Sequence, residues 1–430
     1  MLLLLFLLAF PAAGYVAWNV KPAYTLSAAV VLSPMSGNWG FLGIPGVIAP
    51  DRLLLVAGIG AVLLRGPAVA GRPRIRLTGV HLALLAAAVW AVGSAIAAGS
   101  IADRGATFQL LEAYGILPFL LFVVAPVAFA TAHDRSVLLG ALTALGAYLS
   151  IIAVLETLNL HSLTFPRYIA YEDLGIHFGR ARGPFLEAVA NGLALYACML
   201  ASAIAYQTWH SARARLFAAV TGVSCAVSTF FTLQRSIWLA VVLGTIAALI
   251  GVRSLRRFAV PALAAGVIGI AAALALVPGL PAEVQERRND NRTVWERENL
   301  NRAALNMGFD HPLLGVGWDG FDEKRLPYFE QADDYPLIVT DAPLHNVFLT
   351  YAVELGLIGV TLWIVALVLG VGGALNTVTR DDLTLWRHAL VALAVAWAVI
   401  INFVPPYTFT NLIIWLWAGT VWAARNQEAA

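Results

Sequence analysis

Charge is scarce in this sequence. Only 12 % of its 430 residues are Asp, Glu, Lys or Arg, 60 % are hydrophobic, and the mean hydropathy is +0.78. A soluble globular chain carries roughly 25 % charged residues, so a water-soluble fold is excluded and lipid is the expected solvent. Cysteine is almost absent. Cys198 and Cys225 both lie inside apolar runs with no CxxC neighbour. That excludes a disulfide framework and a thiolate metal site, and leaves two small packing residues. No His/Cys/Asp cluster has metal-ligand spacing, and no metal or other cofactor is expected. There is no repeat at a fixed period and no low-complexity tract. The net charge of +2 says little about partners, and no nucleic-acid partner is expected. Gly315-Val316-Gly317-Trp318-Asp319-Gly320 matches G-x-G-x-x-G literally, yet no strand precedes it and no βαβ unit surrounds it, which excludes a dinucleotide site.

What the sequence does have is apolar runs of membrane-crossing length, about 20 residues each. Spans are expected near 2–19, 23–35, 51–65, 79–98, 109–130, 137–158, 188–207, 215–232, 236–252, 258–279, 345–371, 387–404 and 408–424. The fold class is therefore all-α, a polytopic transmembrane helix bundle with 12–13 spans, twelve if the first two segments form one kinked helix. Met1 to Val20 lacks a basic n-region and reads as the first membrane helix rather than a cleaved signal. Three regions follow: N-terminal helices over 1–179, a core over 180–371 containing one large external loop at 280–344, and C-terminal helices over 372–430.

Basic residues in short loops set orientation. Arg65, Arg72, Arg74 and Arg76 share one loop, Arg135 marks the next on that side, and Arg213, Arg215, Arg253, Arg256, Arg257, Arg380, Arg387 and Arg425 continue the alternation. That side is read as cytoplasmic. Segments 159–187 and 280–344 then lie outside. The long one is too small for an independent domain and is expected to fold against the helices beneath it. Within it, Thr293 to Met307 has helical periodicity, and Asp310 to Gly317 reads as a turn-rich break.

Parity puts several functional side chains at outer helix ends. His345, at the mouth of the 345–371 segment, can accept a proton from an attacking hydroxyl; the alternative is an interfacial histidine that only hydrogen-bonds a loop carbonyl. Arg180 and Arg182 close the 159–187 loop, with Glu187 and Asn191 just beyond. Arginine binds phosphate through a planar, often bidentate donor set, but these two also suit lipid headgroups or pairing with Glu172, Asp173 or Glu187. Arg235 sits between two apolar helices with almost no loop, where an arginine needs a counter-charge or water. A pyrophosphate clamp and a snorkelling arginine both fit. Glu354, nine residues below His345, falls on the opposite helix face and reads as structural.

These motifs, taken in order, resemble the O-antigen ligase and O-antigen polymerase superfamily. Arg180-x-x-Gly183-x-Phe185 with Asn191 comes first, then Gln234-Arg235-Ser236 with Trp238. Asp310-His311-Pro312-Leu313-Leu314-Gly315-Val316-Gly317 follows, and His345-Asn346-x-x-Leu349 with Glu354-x-Gly356 ends the set. The similarity spans roughly 180–370. One departure is that Asn191 follows Ala190 where relatives often show Pro-Asn. The resemblance implies a glycosyltransferase of the bacterial inner membrane with its site facing the periplasm or cell exterior. A polyprenyl-pyrophosphate-linked glycan would be the donor and a lipid or glycan hydroxyl the acceptor. His345 would be the general base, and Arg180, Arg182 and Arg235 would hold the pyrophosphate in place of a metal ion. Arg292, Arg297 and Asn191 would be accessory. Transfer would be inverting. A polymerase joining repeat units on the lipid carrier shares this chemistry. A transporter of lipid-linked sugars would be expected to show internal repeats and midplane polar sites, and a pure scaffold would need neither His345 nor Arg235.

Overall fold

The computed structural model describes residues 2–65, 77–251, 292–330, 342–376, 381–403 and 408–422, with scattered positions between 256 and 285 and residue 337. Among the described residues the secondary structure is helical throughout, with no strand. The helices are α1 (Leu2–Asn19), α2 (Pro22–Leu32), α3 (Pro50–Arg65), α4 (Gly79–Ala98), α5 (Arg104–Ala128), α6 (Ala132–Thr157), α7 (Ala188–Thr208), α8 (Ala212–Phe230), α9 (Arg235–Gly251), α10 (Arg292–Asp310), α11 (Val347–Leu375), α12 (Thr384–Ile400) and α13 (Thr408–Trp422). Twelve of the thirteen expected spans thus coincide with a helix. The remaining one, 258–279, falls largely outside the described residues. Seven helical stretches are long and apolar enough to cross a membrane: Gly46–Arg65, Gly79–Ala98, Arg104–Ala128, Ala132–Thr157, Ala188–Thr208, Val347–Leu375 and Asp381–Ile400. The chain is an all-α polytopic bundle.

In lipid the apolar effect does not pull helices together, so close approach of small residues matters more. A Cβ on Gly146 of α6 would lie 2.8 Å from Cys198 of α7 and 2.8 Å from Cys225 of α8, so three helices meet where both cysteines are buried. That bears out their reading as packing residues. A Cβ on Gly192 of α7 would lie 2.8 Å from Ile237 of α9. This contact sits one residue after Asn191 and two after Arg235, and it sets the two helix N-termini side by side. Gly244 of α9 packs in the same way on the Ala392 carbonyl of α12, and Val347 at the start of α11 donates its N–H to Ile401 at the end of α12 (2.9 Å). The N-terminal ends of α7, α9 and α11 therefore belong to one end of the bundle. At the opposite end Arg135 donates to the Phe129 and Ala130 carbonyls and pairs with Asp382.

The described part of the 280–344 segment packs against the helices, as expected. Leu300, Ala304 and Met307 of α10 bury against Val316, Phe321, Leu344 and Val353 of α11. The turn-rich break at 311–317 does more than turn, because it docks into a gap in α11. Gly356 interrupts that helix with φ 68° and ψ −176°, a conformation only glycine adopts at low cost. The freed backbone groups are taken up by the break: Val353 O accepts the Val316 N–H (2.8 Å), Glu354 O accepts the Gly317 N–H (3.0 Å), and Leu357 N–H donates to Pro312 O (2.8 Å). Glu354 is buried and its carboxylate accepts the backbone N–H groups of Asp319 and Phe321, consistent with a structural role. Trp318 then fixes the segment to the bundle by donating to Ala106 O (3.0 Å) and stacking on Tyr351.

Candidate functional site

The loop after α6 is built around Arg182. This guanidinium is 1 % exposed and donates to the carbonyls of Ile169 (3.0 Å), Tyr171 (2.6 Å) and Leu174, over the ring of Phe178. Three of its N–H groups are taken by loop carbonyls, so the structure places this guanidinium inside the loop. The reason is local: a 30-residue loop with few backbone partners of its own needs a multi-donor centre, and a planar guanidinium provides one. Asn191, fully buried, donates from Nδ2 to the Ala181 carbonyl (2.9 Å), and Glu156 accepts the Gly183 N–H (3.0 Å). Asn191 thus steadies the Arg180–Gly183 turn from beneath.

That turn lies against the end of α8. Ala181 donates its N–H to the Phe231 carbonyl (3.1 Å), and Ala181, Phe231 and Leu233 share one apolar cluster. Leu233 takes a left-handed φ of 50°, which turns the chain sharply enough to open α9 at Arg235. Arg180 and Arg235 are consequently brought to neighbouring backbone segments. Arg180 is buried, whereas Arg235 is exposed.

His345 completes the group. It stands two residues before α11, whose N-terminus is capped by Asn346 Oδ1 accepting the Leu349 N–H (3.1 Å). The imidazole is half-buried and its Nδ1 makes no hydrogen bond. Four other groups act on it. Burial pushes its pKa below the ordinary histidine value, the Arg297 guanidinium adds to that, and His177 adds a little more. The Pro343 carbonyl and the Glu187 carboxylate oppose them. Arg297, projecting from α10 over the Phe403 ring (5.6 Å), is itself pushed down by burial, with Glu296 opposing and Arg235 adding. Arg235, Arg297, His345, Glu187 and His177 therefore form one electrostatic neighbourhood at one end of the bundle, with Arg180 three residues from His177. An imidazole kept neutral beside several cations can take a proton from a neutral hydroxyl while the guanidiniums hold an anion.

Of the accessory residues, Arg297 joins the group and Asn191 supports it from below. Arg292 opens α10, and its side chain falls outside the described positions. His177 went unnoticed in the sequence because it belongs to no recognised motif, and its one signal was a histidine between Gly175 and Gly179, three residues before an arginine of interest. Glu187 figured there only as a counter-ion for Arg180 or Arg182. It instead faces His177, Nδ1 to Oε1 at 3.3 Å, and caps α7 by accepting the Ala190 N–H at 2.6 Å.

The chain is thus a multi-pass membrane protein in which arginines at several helix ends lie near a half-buried imidazole. A family model described as O-Antigen ligase matches residues 220–364. This supports the O-antigen ligase superfamily resemblance seen in the motifs, and with it a glycosyltransferase-like protein of the ligase or polymerase type that acts on lipid-linked glycans. The matched stretch includes Arg235, Arg297 and His345, and it excludes Arg180, Asn191 and the His177 loop. No curated protein matches the chain.

Proposed function

We propose that this chain transfers a glycan from a polyprenyl-pyrophosphate donor to an acceptor hydroxyl, with inversion at the anomeric carbon. The observation that supports this best is the shared neighbourhood of His345, Arg297 and Arg235. In this reading the acceptor oxygen attacks the anomeric carbon as its proton passes to His345. The bond from that carbon to the pyrophosphate oxygen breaks, and the electron pair leaves with the polyprenyl pyrophosphate. Arg235, Arg180 and Arg297 stabilise the departing charge, the task a divalent cation performs in many related reactions. Asn191 and Arg182 hold the loop that presents Arg180.

The candidate residues lie at the opposite helix ends from Arg65, Arg135, Arg213, Arg215 and Arg387. The positive-inside rule reads that basic end as cytoplasmic, which supports chemistry on the periplasmic face of the inner membrane. Ligase and polymerase differ only in the acceptor. Purified protein given one polyprenyl-pyrophosphate glycan and a series of acceptors separates them by product. Transfer to a lipid or foreign glycan acceptor fits a ligase, and extension on the carrier fits a polymerase. No transfer from any lipid-linked donor would refute both.

A further inference from the structure

His177 sits on a loop that has been closed on itself. Ile176 donates its N–H to Leu186 O (3.0 Å), and a Cβ on Gly175 would lie 2.4 Å from Leu186. The loop therefore cannot swing away from the start of α7. His177 itself takes a left-handed φ of 64°, an uncommon conformation for a residue with a Cβ. Held this way, it reaches two segments at once. Its Nδ1 faces Glu187 Oε1 at 3.3 Å, and its Nε2 meets Gln234 Nε2 at 3.2 Å. The Gln234 amide N–H can donate to Nε2 when that nitrogen carries the lone pair, and Glu187 acts on the ring as a charge at ion-pair distance. The backbone carbonyl of the same residue accepts the Arg180 N–H at 3.2 Å. Gln234 directly precedes Arg235.

One residue thus touches the backbone of the first guanidinium-bearing turn and the side chain next to the second. Glu187 is 6 % exposed, and a buried carboxylate of this kind is costly without partners. It has two, the α7 N-terminus and His177. We propose that His177, oriented by Glu187 and Gln234, is a positioning residue that fixes the spacing of Arg180 and Arg235 and so makes the site select a pyrophosphate over a monophosphate. Two phosphoryl groups need two cationic centres a set distance apart, whereas a single phosphate needs only one. The inference rests on the donor reading above and adds what sets its selectivity.

The test is binding of plain polyprenyl pyrophosphate and of polyprenyl phosphate to the full-length protein in detergent. Wild type is expected to prefer the pyrophosphate. His177→Ala should lower that preference about tenfold, chiefly through the pyrophosphate. His177→Asn tolerates the left-handed backbone and keeps one polar contact to Gln234, so it should recover most of the preference. Glu187→Gln keeps a capping oxygen for α7 but removes the charge that orients the imidazole, and should fall between. A purely structural role would weaken both ligands together in proportion to the folded fraction, which gel filtration and thermal melting report. If His177→Ala fails to fold, the other two variants decide the matter. Unchanged selectivity in folded variants, with wild type still preferring pyrophosphate, overturns the positioning role alone. A wild type that binds neither lipid overturns the donor reading and this inference with it.

Discussion

Replacing Gly356 with alanine should unlock the 292–330 segment without disturbing insertion of the bundle. A Cβ there would stand 2.1 Å from the Leu313 carbonyl oxygen, and the backbone angles of 68° and −176° lie where alanine is strained. Strain of this kind costs about 1–3 kcal/mol. The clash cannot be relieved by a side-chain shift because the obstacle is backbone. The 311–317 break must move off α11 and lose three close hydrogen bonds, to Val353 O, Glu354 O and from Leu357 N–H, each contributing about 1 kcal/mol. The sum is roughly 4–6 kcal/mol of local stability, equivalent to about a thousandfold or more in the opening equilibrium. Hydrogen–deuterium exchange in detergent reads this directly. Peptides covering 311–317 and 353–358 should exchange far faster than in wild type, while peptides in α6 and α7 should not change. Transfer activity should drop as well, since α10 and its Arg297 are held to α11 through the same junction. Wild-type exchange at both peptides in a folded Gly356→Ala protein would refute the account of how the 292–330 segment is anchored.

Other outcomes follow from the same structure. Because burial and the Arg297 charge lower the His345 pKa, its base form persists below the ordinary histidine value of about 6.5; kcat/KM should fall away only at lower pH, and Arg297→Gln should move that acid limb upward. Arg235→Ala and Arg180→Ala should each weaken donor use by at least tenfold, roughly 1.4 kcal/mol or more, and lysine should restore only part of it because the bidentate geometry is lost; donor KM and kcat in membranes check this. Arg182→Ala should act differently, leaving three loop carbonyls, one of them buried, without their donor at a cost of roughly 1–3 kcal/mol. Its signature should be a lower melting temperature and faster proteolysis of the 158–187 loop.

The bundle was legible because span hydropathy is a local property. Each run of about 20 apolar residues announces a helix without reference to any other, and α10 itself could be read from its periodicity. Neighbourhood was not legible. Nothing in the spacing of Gly192 and Ile237 says that their helices touch, yet that contact brings Arg180 and Arg235 together. Arg180 and Arg182 illustrate the limit most clearly. They share a loop, a charge and a motif, and sequence treats them as equivalents. Their fates part only in three dimensions, where one lies beside the α8–α9 turn and the other is enclosed by the carbonyls of its own loop. Gly356 was noted in the sequence as part of a motif, but its positive φ and the docking of 311–317 into the helix gap depend on a partner 40 residues away in the chain.

The central claim is that His345 takes the acceptor proton, and a single-turnover assay with purified protein tests it most directly. A preformed complex with a polyprenyl-pyrophosphate glycan is mixed with acceptor, and product is followed in wild type and His345→Ala. The account predicts inverted product from wild type, and a His345→Ala protein that accumulates normally and still binds donor but forms product at least a hundredfold more slowly. A His345→Ala protein that forms product at the wild-type rate would contradict it.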